Sequence, residues 1–347
     1  MATLGTTALT LADWAKRTDD DGKTAIIVNL LSQANEIMDD MLWMECNQTT
    51  SHKTTVRTGL PQGTWRALYQ GVQPTKSTTA QIVENCGNLE AYSEIDKDLA
   101  DLNGNTAEFR LSEDQAFFEG LTQQMAGAIM YSNSLSTPQQ IMGMTPRYAT
   151  VSTSAAQSAN NVIDMGGTGS TNTSIWVVAW GANTVHGLFP RAKMAGLTQR
   201  DLGEIMKQNS DGSRYQIYSS HFKWESGVCV RDWRYVTRLA NIDVTLLNGV
   251  NAANLINGMI RALHRFPTTP RNAANVQDAT RPSGVLGGGR MAIYCNRTVA
   301  TYFDLQALNK TNVLLQMEQW DGKPVTTFRG IPIRTVDQIL STEARVT

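Results

Sequence analysis

Charge is segregated between two consecutive segments in the first third of the chain. Residues 46–83 contain no Asp or Glu, whereas residues 84–119 contain ten of them. The formal net charge of the 347 residues is −1, so this pattern is a segregation and not an excess of either sign. The basic segment can close on the acidic segment of its own chain or dock on that of a second copy, and we favour the second copy. The basic side chains are Lys53, Arg57, Arg66 and Lys76.

Composition excludes several classes of protein. With 41% hydrophobic residues the chain can bury a large core, in one elaborated domain or two. The pI near 6.4 and the lack of a polybasic tail argue against tight, sequence-independent nucleic-acid binding by this chain alone. No apolar run approaches the ~20 residues that span a bilayer. The N-terminal residues lack the basic and apolar regions of a signal peptide. We therefore expect no membrane partner.

Hydrophobic periodicity predicts an α+β fold without internal repeats. Apolar residues at helical spacing predict a long amphipathic helix over residues 24–41. Strands at 51–58 and 65–70 around a Gly/Pro turn predict a β-hairpin, which a run at 78–83 extends. Further strands are predicted at 174–180 and 184–189 (joined as a hairpin), 215–223, 227–237, 291–295 and twice within 325–336, with helices at 251–266 and 299–308.

A capping-box pattern, Ser-Glu-Asp-Gln, begins at Ser112 and predicts a helix over residues 112–131. Acidic residues in its first turn suit the helix dipole. The apolar side chains Phe117, Leu121 and Met125 share one face, which we expect to be buried.

The sequence contains no recognisable catalytic, cofactor or metal constellation. The four histidines and four cysteines are dispersed, without HxH, HxxxH or CxxC spacing, and we expect the cysteines to be reduced thiols. The acids Asp96, Asp98 and Asp101 lack the remaining ligands of an EF-hand. The glycines at 166–169 lead into a strand and lack the Lys of a phosphate loop. We expect no enzyme, cofactor or metal site.

Two alternatives remain at this stage. Arg231, Arg234 and Arg238 lie among aromatic residues in predicted strands around 231–238, a composition that suits a nucleic-acid-binding platform. Because acidic residues are interleaved with these arginines, a packed strand with an ion-paired outer face is the favoured interpretation. The other alternative is an enzyme whose site carries no recognised motif.

Several sequence pieces, taken in order, resemble the major capsid proteins of tailed double-stranded DNA bacteriophages. No single piece is decisive, and the specificity of the resemblance comes from their order. The pieces are LSQANEIMDD at 31–40, MLW at 41–43, HKTTVRTGLP at 52–61, WR at 65–66, YSEIDK at 92–97, FR at 109–110, NTSIW at 172–176, WG at 180–181, HGLFP at 186–190, DWR at 232–234 and RLANI at 238–242.

This resemblance implies the Hong Kong ninety-seven type fold. Its parts are an N-terminal arm, an extended hairpin called the E-loop, a P-domain with a long spine helix, and an A-domain. The implied boundaries are 1–48 for the arm, 49–92 for the E-loop, 93–245 with 323–347 for the P-domain (spine helix about 112–131), and 246–322 for the A-domain.

The resemblance also implies a function. The chain would self-assemble into pentamers and hexamers of an icosahedral head that encloses DNA without sequence specificity. It would be assembled in the bacterial cytoplasm and reside in the virion. Because the sequence begins almost at the arm, we expect a separate scaffolding protein, besides a portal and an optional decoration protein.

The charge segregation then predicts an intersubunit contact, with the basic E-loop lying over the acidic P-domain of the next copy. Reversing the charges of the E-loop is expected to impair assembly and leave the subunit folded. The predicted acidic contact residues are Glu90, Glu94, Asp96, Asp98, Asp101 and Glu113.

Overall fold

The structure, a computed structural model, describes residues 9–11, 13, 17, 31–247, 253–267, 290–308, 315–320 and 323–347. Helices and strands are mixed along the chain, which confirms the predicted α+β class. The helices are α1 (Ile37–Asp40), α2 (Lys97–Ala100), α3 (Thr106–Tyr131), α4 (Leu255–Leu263) and α5 (Arg297–Leu308). The strands are β1 (Trp43–Glu45), β2 (Ser51–Gly59), β3 (Thr78–Asn85), β4 (Gly87–Asp96), β5 (Val162–Asp164), β6 (Asn172–Ala179), β7 (Val185–Phe189), β8 (Leu197–Gln208), β9 (Arg214–Val230), β10 (Val236–Asp243), β11 (Met291–Cys295), β12 (Leu315–Trp320), β13 (Lys323–Phe328) and β14 (Ile331–Thr335).

The largest sheet among the described residues has seven strands in the order β12-β13-β14-β11-β6-β10-β5. All eight residues of β6 are buried, and its last five, 175–179, form a continuous apolar run. Ile175 and Val177 belong to the core that includes residues of α4 and α5. Trp176 and Val178 belong to a second core, shared with α3 and the strands of another sheet. The sheet is therefore covered on both faces.

The second sheet has the order β1-β7-β9-β4, with β8 also paired to the long strand β9. The helix α3, of 26 residues and ~39 Å, contacts β4 and β9 of this sheet. Leu121 and Met125 are buried on α3, and the half-buried ring of Phe117 stacks on Phe222 of β9 at 5.6 Å. The three side chains that were expected on the buried face therefore lie on the side of α3 that meets the protein body.

The strands β2 and β3 form a separate two-stranded sheet. They pair from Ser51 with Asn85 to Gly59 with Thr78, and residues 60–77 connect them. Every residue from 60 to 81 is exposed. A ribbon of two strands is marginally stable by itself, so its stability depends on what holds its ends.

The helix α3 begins six residues before its predicted start. Ser112 lies inside the helix, and its hydroxyl donates to the backbone oxygen of Phe109 at 2.8 Å, so it does not cap a helix end. The side chain of Phe109 is buried with Ile95 and Ala100. This packing favours continuation of the helix toward residue 106. A local capping pattern cannot predict such an extension, because the packing involves residues outside the pattern.

The predicted helix over 24–41 is wrong for residues 31–36, and residues 24–30 lie outside the described residues. Asn35 forms an isolated antiparallel bridge with Val336. The backbone nitrogen of Ala34 donates to Asp337, at 3.0 Å, instead of to a preceding turn. Contacts with the C-terminal segment thus override helical periodicity, and within the described residues 31–41 the helix is confined to α1.

The second strand of the predicted hairpin is also wrong. Residues 65–70 form no strand, and the partner of β2 is β3, which contains the third predicted run. The strands β6 and β7 do not form a hairpin either, because β6 pairs with β10 and β11 whereas β7 pairs with β1 and β9. The intervening residues carry the chain from one sheet to the other.

The predicted strand at 227–237 is interrupted by a turn. One strand, β9, runs to Val230, and the side chain of Asp232 then accepts a hydrogen bond from the backbone nitrogen of Arg234. The strands β1, β4, β5, β8 and β12 were not predicted. The strand at 291–295 is confirmed, and the later helices are found as α4 and α5, with residues 251–252 outside the described part of the chain.

Candidate functional site

The hairpin of β2 and β3 is anchored at its base by a buried ion pair. Glu84, near the end of β3, binds the Arg147 guanidinium through two hydrogen bonds of 2.5 and 2.8 Å. The same guanidinium donates to the backbone oxygens of Met142 and Val228. Side-chain exposure is only 8% for Glu84 and 17% for Arg147. The pair therefore connects the hairpin to the protein body at a site largely closed to water.

Two histidines also meet at the base. The rings of His52 on β2 and His186 on β7 lie edge to face at 5.5 Å, and both side chains are buried. Burial lowers the pKa of His52 and, together with the proximity of His52 and Arg231, lowers the pKa of His186 to about 4. Both imidazoles are therefore neutral at pH 7 and pack as uncharged rings.

Two thiols flank the hairpin, Cys46 before β2 and Cys86 after β3. Their Sγ atoms are 3.4 Å apart, and both are free thiols. Burial raises the pKa of each thiol above its ordinary value. Next to them, a Cβ on Gly227 of β9 would lie 2.9 Å from the backbone oxygen of Asn85, so glycine permits the close approach of β3 to β9. The base is thus tightly packed.

The tip of the hairpin, residues 60–77, has the opposite character. Trp65 and Tyr69 are fully exposed, with relative exposures of 102% and 104%, and Leu60 and Leu68 are 75% and 85% exposed. A local turn exists, in which Gln70 donates to the backbone oxygen of Ala67 at 3.2 Å. The tip therefore presents a group of large apolar side chains that its own chain does not cover.

The four predicted basic contact residues are exposed and lie along this hairpin. Within the described part of the chain, none of them forms an ion pair. The backbone of Lys53 is held by the side chain of Asn47, and the Arg66 guanidinium donates to the backbone oxygen of Gln70 at 3.3 Å. The positions are Lys53 and Arg57 on β2, and Arg66 and Lys76 in the tip.

The predicted acidic contact residues do not meet these basic residues, and most of them bind other groups of their own chain. Hydrogen bonding from Lys223 lowers the pKa of Glu90 to about 2. The other bonds are Glu94 with Lys207, Glu113 with Arg17, Asp96 with the backbone nitrogen of Asp98, and Asp101 with the hydroxyl of Thr106. The side chain of Asp98 is exposed.

A cleft that sequence reasoning missed lies between α3, the start of β4 and the segment around Ile141. Its volume is about 310 Å³. The apolar lining includes Leu89, Met125 and Ala128, and Gln124 lies at the rim. All of the side chains that line the cleft are uncharged. A Cβ on Gly87 would lie 2.8 Å from the side chain of Ile141, so glycine permits the close packing there.

The arginines of the nucleic-acid alternative bind groups of their own chain. Arg231 donates to Ala182 and Asn183, and Arg234 forms an ion pair with Asp232. The guanidinium of Arg238 is buried, pairs with Glu343 at 2.9 Å and lies over the ring of Trp176. These arginines do not form an exposed platform, so the structure does not support this alternative. The described residues also include no group of three or more His, Cys, Asp or Glu placed to hold a metal, and no helix suited to crossing a membrane.

Comparison with known proteins identifies the family. The family model described as Major capsid protein GP7 matches residues 19–347. A chain in the solved structure of bacteriophage Epsilon15 is 35% identical to this chain in sequence. The alignment covers all of both chains, with a TM-score of 0.78.

More distant structures share little sequence with the chain. An encapsulin complex of Synechococcus elongatus has 10% identity and a TM-score of 0.46, over 68% of this chain and 98% of that one. A structure from Mycobacterium phage Bobi has 10% identity and a TM-score of 0.41, over 66% and 97%. No curated protein sequence matches. The expected resemblance to phage capsid proteins of the Hong Kong ninety-seven type fold is confirmed by the family model and the Epsilon15 match. The chain belongs to the Major capsid protein GP7 family and is a coat protein that forms an icosahedral phage shell from many copies of itself.

Proposed function

We propose that the hairpin of β2 and β3 joins neighbouring copies of this chain in the shell. The observation that supports this role is the contrast between its anchored base and its wholly exposed tip. Because the hairpin and the body that receives it are different surfaces, the contact is heterologous. Repeated heterologous contacts close into rings when the rotation between copies allows it. Rings of five and six copies would be the pentamers and hexamers of the shell.

The parts of the chain take the following roles in this proposal. The hairpin segment, residues 49–92, is the E-loop, and its four exposed basic side chains lie within the intersubunit contact. The side chain of Asp98, which is exposed, is one candidate partner for these basic side chains of a neighbouring copy. Residues 1–48 form the arm, residues 93–245 with 323–347 the P-domain, and residues 246–322 the A-domain.

The same proposal gives the protein a purely structural role without catalysis. Its partners besides itself are a separate scaffolding protein and a portal, with a decoration protein as an optional further partner. The shell encloses double-stranded DNA, which it contacts without sequence specificity. Assembly takes place in the cytoplasm of the bacterial host, and the mature location is the virion.

Removal of the tip tests this role. In the variant, a two-residue Asn-Gly turn replaces residues 60–77, so that β2 and β3 can still pair. We expect this variant to unfold at the wild-type urea midpoint but to form no particles in electron micrographs. A matched control is Met194→Ala, which alters an exposed apolar side chain outside the hairpin and should leave assembly unchanged. Wild-type particle yield from the shortened hairpin would refute the proposal.

A further inference from the structure

The tip of the hairpin has the composition of an anchoring contact. Trp and Tyr are, together with Arg, the residue types enriched at the energetic centres of protein interfaces. Here Trp65 and Tyr69 lie four positions apart in a loop in which every side chain is exposed. Several large, fully exposed apolar side chains within one short loop are uncommon on a surface that stays in water. If the hairpin joins copies as proposed above, the tip requires an apolar receiving surface.

The acidic face of β4 is poorly suited to that purpose. Glu90 already binds Lys223 at 2.8 Å, and Glu94 already binds Lys207. An incoming Arg57 or Arg66 would have to replace an existing ion pair, and exposed pairs contribute only ~0.2–1 kcal/mol each. Exchange of one exposed pair for another provides little net binding energy and leaves the tip aromatics uncovered.

The cleft between α3 and β4 has an apolar, uncharged lining that can cover the exposed aromatic side chains of the tip. Met125 and Ile141 are buried in its floor, and the ring of Tyr131 forms part of the wall. The phenol of Tyr131 is fixed by bonds to Glu343 and to the backbone nitrogen of Leu340, so the wall is preformed. The amide of Gln124 at the rim suits the polar edge of an indole or a phenol. Because no charged side chain lines the cleft, the basic tip meets no like charge there.

The tip cannot reach the cleft of its own chain. The strand β3 separates them, because it begins at Thr78, directly after the tip, and ends at Asn85, two residues before the cleft-lining Gly87. Eight residues of strand span ~26 Å. The pairing of β3 with β2 along this length keeps the hairpin extended. An occupant from the tip must therefore come from a second copy.

We infer that Trp65 and Tyr69 of one copy insert into the cleft that α3, β4 and the segment around Ile141 form on a second copy. This inference rests on the proposed function, and it specifies the receiving surface and the main source of binding energy. The basic residues of the hairpin then contribute to orientation, and the aromatic residues provide most of the affinity.

Cross-linking of assembled particles tests the receiving surface directly. One double variant carries Gln70→Cys in the tip, next to Tyr69, and Gln140→Cys in the lining of the cleft, so that Trp65, Tyr69 and Gln124 are all kept. The comparison variant carries Gln70→Cys with Asp98→Cys, which places the second thiol among the predicted acidic residues. Each is treated with a short bismaleimide, and intersubunit products are separated by denaturing electrophoresis. The single Gln70→Cys variant measures any reaction with the native thiols, of which three are buried.

We expect a ladder of covalent oligomers from the Gln70 and Gln140 pair, at least tenfold stronger than from the Gln70 and Asp98 pair. Intact particles that cross-link only through Asp98, or through neither pair, would overturn the inference and leave the proposed function standing. Failure of the wild-type chain to form particles under any assembly condition would overturn both.

Discussion

The base and the tip of one hairpin differ in almost every physical property. At the base, Glu84, Arg147 and two neutral histidines are buried against strands of the protein body. At the tip, Trp65 and Tyr69 are fully exposed. The base is thus completed by its own chain, whereas the tip is not covered by any of the described residues. This difference implies that subunit stability and assembly depend on separate ends of the same element and can be separated by mutation.

The largest effect on the subunit is expected from the ion pair at the base. Arg147→Met leaves the buried Glu84 carboxylate without its partner, and loss of one partner of a buried pair costs about 3–5 kcal/mol. The free energy of unfolding of the unassembled subunit, measured in urea, should fall by that amount. The double variant Arg147→Met with Glu84→Gln should recover part of the loss. An unchanged midpoint for the single variant would show that the base is not anchored as described.

A second loss of subunit stability is expected from Leu121→Ala, which truncates a side chain in the protein body and not in the hairpin. Leu121 is buried on α3, where truncation of a leucine typically costs about 2–5 kcal/mol. The urea midpoint of the subunit should decrease accordingly. Leu135→Ala, at a position that is 84% exposed, is the matched control and should change stability little. Wild-type unfolding of Leu121→Ala would contradict the packing of α3 on its sheet.

Lowering the pH should reduce the stability of the hairpin's anchored end, because His186 is buried there as a neutral imidazole. An unfolded histidine takes up a proton near pH 6.5, whereas the folded pKa of His186 is lowered to about 4 by burial. Below pH 6.5 the unfolded state therefore binds more protons, and the stability that His186 contributes at neutral pH is lost as the pH falls toward 4. The loss should approach roughly 3 kcal/mol, at about 1.4 kcal/mol per pH unit.

Urea unfolding at pH 7, 6 and 5 checks this dependence. Comparison with His186→Gln removes the contribution of groups that titrate in both proteins. The difference in stability between wild type and variant should shrink as the pH decreases. A difference that is constant with pH would mean that His186 is not held neutral in the folded subunit.

A smaller effect is expected from the charges of the hairpin. Arg57→Glu with Arg66→Glu changes two exposed side chains that form no ion pair within the described residues, so the stability of the subunit should not change. Each exposed intersubunit pair is worth ~1 kcal/mol or less, so assembly should be slowed or require more protein rather than be abolished. Particle yield over a range of salt concentrations measures this. Complete loss of particles at all salt concentrations would indicate that the charges contribute more to assembly than the aromatic residues of the tip.

The sequence indicated the α+β class, the position of the hairpin and much of the later part of the chain, because strong periodicity and turn residues act locally. It did not indicate the second strand of the hairpin. Residues 65–70 contain a β-branched or aromatic pattern, but the glycines at 63 and 71 bound them as a loop. The exposure of Trp65 could have been suspected from those glycines, because a loop bounded by them has no strand partner to cover it.

Other features depend on contacts between residues distant in sequence. The pair of Glu84 with Arg147 joins residues 63 positions apart, and the bond of Ala34 with Asp337 joins residues 303 apart. The cleft likewise requires α3, β4 and a later segment to come together. Hydrophobic periodicity along the sequence does not predict contacts between residues that are so far apart. The charge segregation was visible in the sequence, but the lysines that engage Glu90 and Glu94 come from β9 and β8.

The most direct test of the central claim is a paired measurement on one variant, Trp65→Ala with Tyr69→Ala. Both side chains are fully exposed, so the urea unfolding of the subunit should stay within about 0.5 kcal/mol of wild type. The yield of particles, counted by electron microscopy at equal protein concentration, should fall at least tenfold. Wild-type particle yield, or a large loss of subunit stability, would contradict the assignment of folding to the base and of assembly to the tip.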